Sequence, residues 1–321
     1  VHIVGLGEGF PFPNQQVLDE ADAILKRIPK HQLLLIDGLA LGVLPATAQQ
    51  LALFHHLIAL VHHPLALESG LTEQQCKSLT ESEHEALKYA SHIVVTSPAT
   101  SRLLSDDFKV ASERISVICP GTDKATFAQG SKDETIRLLS VGSLIPRKGF
   151  ESLVHALATL KDLPWHLTIA GDTTRHPETT QKLHSEIQRF QLESHITLTG
   201  AVPTNQLNTL YQQSDIFVLA SLLEGYGMAY AEAIAHGLPV IGTTAGAIPD
   251  TVPAECGLLV KPGDTQALAQ ALRELMTSKE KRESLAEGAR RVAAHLPTWD
   301  DSCNRFEQVL KLAAQSPMSV A

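Results

Sequence analysis

The apolar positions of this chain come in short runs separated by longer amphipathic stretches. Leu33-Leu34-Leu35-Ile36, Ile58-Ala59-Leu60-Val61, Ile93-Val94-Val95 and Ile115-Ser116-Val117-Ile118 each read as a buried strand, and residues 1–6 add a further short one. The stretches 15–26, 46–55 and 72–89 between them read as helices, the last opened by the capping pair Thr72 and Gln75. A polar segment, 119–134, reads as a linker, and the alternation then restarts. Strands are expected at 136–141, 166–170, 196–198, 215–219 and 258–260, with Pro239-Val240-Ile241 opening another. Helices are expected at 148–160, 178–190, 204–213, 228–236, 264–276 and 279–295. Trp299 opens a closing helix that ends near Leu312, and the tail from Ser316 is expected to fray. Buried strands alternating with helices predict parallel α/β sheets. The expected architecture is two Rossmann-like, doubly wound domains, 1–133 and 134–298, followed by a closing helix over 299–315. Two such domains face a central cleft at the carboxyl ends of their strands, where open α/β sheets bind ligands.

One stretch organises the rest: Ser221 to Thr243, SLLEGYGMAYAEAIAHGLPVIGT. A buried strand runs through a turn, Glu224-Gly225-Tyr226-Gly227, into a helix that is apolar on nearly every side. A helix start offers unpaired N–H groups and partial positive charge, and glycines at 225 and 227 let the backbone approach a ligand closely. A phosphate or pyrophosphate is the natural guest. Glu224 and Glu232 lie eight residues apart, which on a helix is roughly 12 Å along the axis. Carboxylates so placed accept hydrogen bonds from sugar hydroxyls on either side of a pyrophosphate. The bland alternative makes Glu224 a turn residue and Glu232 a core residue paired to a cation. Glu232 is surrounded by Ala229, Ala231, Ala233, Ile234 and Ala235, and a charge there needs a partner.

Composition narrows the field. The 321 residues suffice for two cores, and 44% hydrophobic with 19% charged residues describes an ordinary globular chain. A net charge of −9 argues against a nucleic-acid surface. Cys76, Cys119, Cys256 and Cys303 fit no metal spacing and read as reduced cytoplasmic thiols. No H-E-x-x-H or H-x-x-x-H occurs among the 15 histidines. No signal peptide and no membrane-spanning apolar run is found. Lys26-Arg27…Lys30 is the one hint of a basic patch for peripheral membrane contact, and a solvated helix end explains it equally well.

Together, the E-x7-E element Glu224 to Glu232, the earlier VGSLIPRKGF (Val141 to Phe150), Ala170-Gly171-Asp172 and Leu198-Thr199-Gly200 resemble the family 4 retaining glycosyltransferases, enzymes of the GT-B fold. The resemblance covers nearly all of the second domain and is weaker in the first, and it implies that the closing helix 299–315 crosses back to the first domain. It implies that Glu224 binds hydroxyls of the transferred sugar and Glu232 the ribose. It implies that Gly225, Tyr226, Gly227 and Met228 present N–H groups to the pyrophosphate and sugar. Lys148 and Arg147 would neutralise the diphosphate, as chemistry also asks of fixed cations beside a leaving group that gains charge. As a plain helix start, two cations would oppose the dipole, so an anion is expected near them. Gly171 falls in the donor region, and Val202 where the family reads the base. The family places a histidine at the end of a first-domain strand, near the sugar and acceptor. His62 is favoured over its neighbour His63. Many members carry Arg where this chain has Ser143, which implies either that Arg147 compensates or that donor binding is weaker. The family also opens with a strand and a Gly-rich loop. Here the chain starts at Val1, at what reads as the second strand, so that loop is expected to be missing, as a fragment or a natural loss.

The expected function is a retaining, metal-independent hexosyltransferase that moves a sugar from UDP- or GDP-hexose to an acceptor hydroxyl left unspecified by the sequence. No D-x-D motif is present, so Arg147, Lys148 and the helix start would replace a metal, and no cofactor beyond the donor is expected. Two rivals stand beside it: a non-catalytic nucleotide-sugar binding protein, and another GT-B activity such as a nucleotide-sugar epimerase.

Overall fold

The computed structural model describes residues 1–131 and 134–315. Contacts divide the chain into two units: Val1–Cys119 together with the chain from Asp300 onward, and Pro120–Trp299.

In the first unit four strands pair in parallel in the order of the chain: β1 (Leu33–Asp37), β2 (His56–Val61), β3 (His92–Val95) and β4 (Ile115–Val117). Period-two alternation sends successive side chains to opposite faces. Leu57, Ala59 and Val61 of β2 join Ile93 and Val95 of β3 in a core with Ala21 and Leu25 of the helix Gln15–Lys26 and Ala48 and Leu51 of the helix Pro45–Ala52. Ile58 and Val94 face the other way, onto Val309 and Ala313, one turn apart on the helix Trp299–Gln315. The last helix of the chain thus covers a face of the first sheet. Residues 1–6, expected as a strand, form none; Val1, Ile3 and Val4 are exposed and β1 is the edge of the sheet. Apolar alternation makes a strand only where a neighbour completes the ladder.

The second unit carries six parallel strands: β5 (Ile136–Val141), β6 (Trp165–Ala170), β7 (Ile196–Gly200), β8 (Ile216–Val218), β9 (Val240–Thr243) and β10 (Gly257–Val260). Their order is β10-β9-β8-β5-β6-β7. The chain winds outward from β5 to β7, then returns to lay β8 on the other side of β5. That reversal is a topological switch point, the place where the loops after two adjacent strands diverge and leave a crevice. Strands β8 and β9 are buried along their whole length, as parallel strands with both faces covered must be.

Segment 119–134, expected as a linker, is largely laced onto the second unit. Ala128 N–H donates to His236 O (2.7 Å), Gln129 N–H to Gln212 O (3.0 Å) and Ser131 N–H to Asp215 Oδ1 (2.9 Å). The contact boundary therefore falls between Cys119 and Pro120 rather than after residue 133. Residues 132–133, and the tail from Ser316 expected to fray, lie outside the described residues. No helix of the described residues is long and apolar enough to cross a membrane. Of the basic triplet, Lys26 pairs with Asp22 (2.6 Å) and Lys30 lies over the Phe54 ring (3.8 Å), so two of its three charges have partners in the protein.

Candidate functional site

The site is built at the carboxyl ends of the second sheet, where β5 and β8 part. The expected helix 148–160 does not start with its cations. Pro146–Lys148 is a separate 3-10 turn, Gly149 follows at φ 66°, and the helix proper is Phe150–Ala158. A side chain at Gly149 would lie 2.0 Å from Ala220 O, so glycine lets the cationic turn sit directly on the end of β8. Leu222 N–H donates to Arg147 O (2.7 Å) and Arg147 Nη1 to Leu223 O (2.9 Å), completing the staple.

This staple brings the expected cations onto the expected carboxylate. Lys148 Nζ is 2.6 Å from Glu224 Oε1, and Arg147 Nη1 is 3.4 Å from Oε2. Ser221 Oγ donates to Oε1 at 2.6 Å. All three charged side chains are largely buried. The anion that the two cations called for is thus supplied by the protein itself, at Glu224. Breaking such a buried cluster by removing one member leaves uncompensated charge.

The turn between Glu224 and the next helix is held from its far side by β9 and the residues after it. Thr243 Oγ1 donates to Ser221 O (2.6 Å), Ala247 N–H to Glu224 O (2.9 Å) and Thr251 Oγ1 to Tyr226 O (2.6 Å). Tyr230 OH reaches Leu219 O (2.6 Å) from within the helix. Gly227, at φ 91°, is the N-cap of the helix Met228–Ala235, and no side chain caps that end. Gly225 and Tyr226 are half-buried and Met228 is exposed beside it.

Glu232 goes elsewhere. It projects from that helix toward Tyr211, whose hydroxyl donates to Glu232 Oε2 at 2.9 Å. Burial raises its carboxyl above the ordinary range; the Tyr211 hydrogen bond opposes this and the charge of Asp123 adds to it. The partner is a neutral hydroxyl, not the cation that the bland reading required.

The loops after β5, β6 and β7 are tied side by side. Gly142 N–H donates to Ala170 O, Leu144 N–H to Asp172 O and Gly171 N–H to Gly200 O, at 2.8–3.0 Å. A side chain at Gly171 would meet Gly142 O at 1.9 Å. Gly171 therefore serves the packing of two loops, and its N–H is engaged within the protein. Ser143 is half-buried in the first loop, its carbonyl accepting from Ile145 N–H (2.8 Å). Val202 lies half-buried between β7 and the helix Thr204–Gln212, apart from the Glu224 cluster in the chain's hydrogen bonding.

In the first unit His62 and His63 separate clearly. His62 Nε2 lies 3.3 Å from Asp37 Oδ2, at the carboxyl ends of β2 and β1, with both side chains about half exposed. His63 Nε2 lies 3.3 Å from Glu68 and is mostly buried. Burial pushes the Asp37 carboxyl up, but hydrogen bonds from His62 and Leu39 N–H outweigh it and hold it below the ordinary range. Asp37, Ser221, Thr243, Thr251 and Tyr211 were not singled out from the sequence. Ser221, Thr243 and Thr251 act through single hydroxyls on backbone or side-chain atoms, and no spacing rule marks them.

Two hollows of about 310 and 340 Å³ share Arg137 and Gln213. They open at the amino ends of β5 and β6, the wrong end of a parallel sheet for a ligand.

The chain belongs to the family Glycosyl transferases group 1, whose sequence model matches residues 122–292, more than half of the chain. It is 25% identical over 261 residues to an MMP alpha-(1->4)-mannosyltransferase of Mycolicibacterium hassiacum, covering 76% of this chain and 62% of the relative. It is 26% identical over 284 residues to a D-inositol 3-phosphate glycosyltransferase of Corynebacterium urealyticum, covering 82% and 66%. The chain thus spans under two thirds of the length of these curated relatives. Among solved structures, a sucrose-phosphate synthase from Thermosynechococcus elongatus superposes with a TM-score of 0.79 at 24% identity, over 94% of this chain and 79% of that one. HepE of Anabaena, solved with UDP-glucose, gives 0.75 at 19% identity, over 92% and 82%. The fold is of the GT-B class, two parallel-sheet α/β domains.

Proposed function

We propose that this protein is a retaining glycosyltransferase that takes a hexose from a UDP- or GDP-sugar and needs no metal. The observation that carries the reading is the convergence at the β5/β8 switch point of Arg147, Lys148 and Glu224 beside the uncapped start of the helix Met228–Ala235. In this reading the donor's diphosphate sits at that helix start, where Gly225, Tyr226, Gly227 and Met228 line the turn. Pairing with Glu224 does not use up the cations. An ammonium has three N–H donors and a guanidinium five, so each holds the carboxylate and still reaches a phosphate oxygen. Glu224, fixed by three donors, offers its remaining lone-pair site on Oε2 to a sugar hydroxyl, and Glu232 takes the ribose. Ser143 and Val202 border the donor, and His62, oriented by Asp37, is assigned to the acceptor side.

The acceptor oxygen bonds to the anomeric carbon on the face from which the diphosphate departs. The bond from that carbon to the diphosphate oxygen breaks, and the departing oxygen takes the acceptor's proton. Arg147 and Lys148 stabilise the charge that builds on the leaving group, the work a metal does elsewhere. Four free cysteines fit a cytoplasmic setting.

The test is donor turnover. With UDP- and GDP-hexoses, NMR should show release of nucleoside diphosphate, an initial product with the donor's anomeric configuration, and rates unchanged by EDTA. Binding without turnover supports the rival, a nucleotide-sugar binding protein. An inverted first product contradicts retention, and loss of rate in EDTA contradicts metal independence.

A further inference from the structure

Glu232 is the one member of the acidic pair without a charged partner at hydrogen-bond distance among the described residues, and what holds it is a single hydroxyl. That hydroxyl belongs to Tyr211, only 1% exposed, on the helix Thr204–Gln212. Its ring is clamped on two sides. His236 stacks on it at 4.6 Å with planes 16° apart, and Phe217 of β8 lies at 6.1 Å with planes 29° apart. His236 is itself fixed, its Nδ1 2.9 Å from Glu232 O. A ring packed on both sides delivers its oxygen to Glu232 Oε2 at 2.9 Å, with Ala229 O a longer second acceptor at 3.4 Å. The second carboxylate oxygen, Oε1, takes no hydrogen bond from the described residues.

We infer that Tyr211 is the positioning residue of the nucleotide site, holding Oε2 of Glu232 so that Oε1 is presented to the ribose hydroxyls of a nucleoside diphosphate. The inference rests on the reading of Glu232 as the ribose carboxylate. The electrostatics of the pocket show why a positioner is needed. The groups facing Glu232 are Tyr211, the acidic Asp123 from the segment before β5, and His236 one turn along its own helix. Burial and Asp123 both push its carboxyl toward the protonated form, and the Tyr211 hydroxyl pulls the other way. Burial lowers the affinity of His236 for a proton, so it brings no compensating charge. The Tyr211 proton stays in place, because burial and the Glu232 charge push its hydroxyl well above the ordinary tyrosine range. A protonated Glu232 would lose acceptor strength toward a diol, so the hydroxyl bears on both geometry and charge.

The test uses Tyr211→Phe, which deletes one oxygen and keeps the ring. Affinities of UDP and GDP, and of their 2′,3′-dideoxy forms, are measured by calorimetry across a pH series that starts in the ordinary carboxyl range and runs upward. In the wild type, ribose nucleotides should bind more tightly than dideoxy ones. In Tyr211→Phe that preference should shrink by about tenfold, the scale of one hydrogen bond to a charged group, and the pH at which it sets in should move upward. In a Glu232→Gln background Tyr211→Phe should have no further effect on the preference, because the two residues act as one unit. A variant that weakens both nucleotide forms equally, with the preference and its pH profile unchanged, makes Tyr211 a merely structural residue and overturns the inference. A wild type that binds ribose and dideoxy nucleotides alike overturns the ribose reading of Glu232 instead.

Discussion

At the scale of residues, the site is a small set of charges whose partners matter more than their identities. Glu224 drew attention in the sequence through its pairing with Glu232 eight residues on, since a glycine turn alone would leave it a plain turn residue. Arg147 and Lys148 followed from a motif and from the charge a leaving diphosphate gains. That the carboxylate and the cations hold each other was not legible, because they are more than seventy positions apart and meet only through the staple between the loops after β5 and β8. The pairing changes what a variant should do. Glu224→Gln should abolish transfer, yet leave nucleoside diphosphate affinity unchanged or stronger, since Lys148 and Arg147 lose a competing anion. Direct binding measurements check this, and a parallel loss of affinity would remove Glu224 from the sugar and place it under the diphosphate. Gly149→Ala should lower stability by at least about 1–3 kcal/mol, from a strained left-handed backbone and the collision with Ala220 O. An unchanged denaturation midpoint would contradict the close approach.

Among the elements, strands and helices with strong patterns were readable almost to the residue. The helix Gln15–Lys26 matches its expected span, and the helix Glu73–Lys88 carries the foreseen capping box, with Thr72 and Gln75 each bonding the other's N–H. The misreadings have local physical causes. Residues 1–6 have an apolar pattern without a partner strand, and Gly149 cuts a helix that composition alone would begin at Lys148. The helix Glu73–Lys88 also hides a feature its polar sequence did not reveal. Glu83 is 1% exposed, accepts Leu65 N–H at 2.8 Å through Oε2, and has no partner for Oε1 among the described residues. Burial pushes its carboxyl up to about 7, with the Leu65 hydrogen bond opposing. A carboxyl raised on folding binds more protons in the native state, so stability is greatest below its unfolded value near 4.5 and is lost as pH rises through about 7. At 1.36 kcal/mol per unit the loss is about 3 kcal/mol. Glu83→Gln should therefore gain stability relative to the wild type as pH rises from about 5 to 7.5. Denaturant titrations across that range check it, and parallel pH profiles for the two proteins would refute it.

For the molecule as a whole, the return of the closing helix to the first unit was expected only from the family resemblance, whereas the two parallel α/β units were anticipated from the alternation of elements. The strand order was not, because periodicity says which residues are buried but not which strands are neighbours. Only the structure shows that the winding reverses between β5 and β8, which is what gives the motif residues a common place. The closing helix tests the division into units. Val309→Asp puts a charge against Ile58 and Val94 and should destabilise the first sheet by several kcal/mol. Hydrogen exchange should speed up in β2 and β3 and stay unchanged in β5 to β10. Equal acceleration in both sheets would show that the helix supports the chain as one cooperative body.

The central claim is that the switch point of the second unit holds a nucleoside diphosphate on its own cations. Calorimetric titration of UDP and GDP onto the wild type and Lys148→Ala tests it most directly. The account predicts binding of at least one of the two to the wild type and a loss of about 1.5–3 kcal/mol in the variant, the scale of a charged hydrogen bond. Equal affinity in the two proteins, or no binding of either nucleotide, would contradict it.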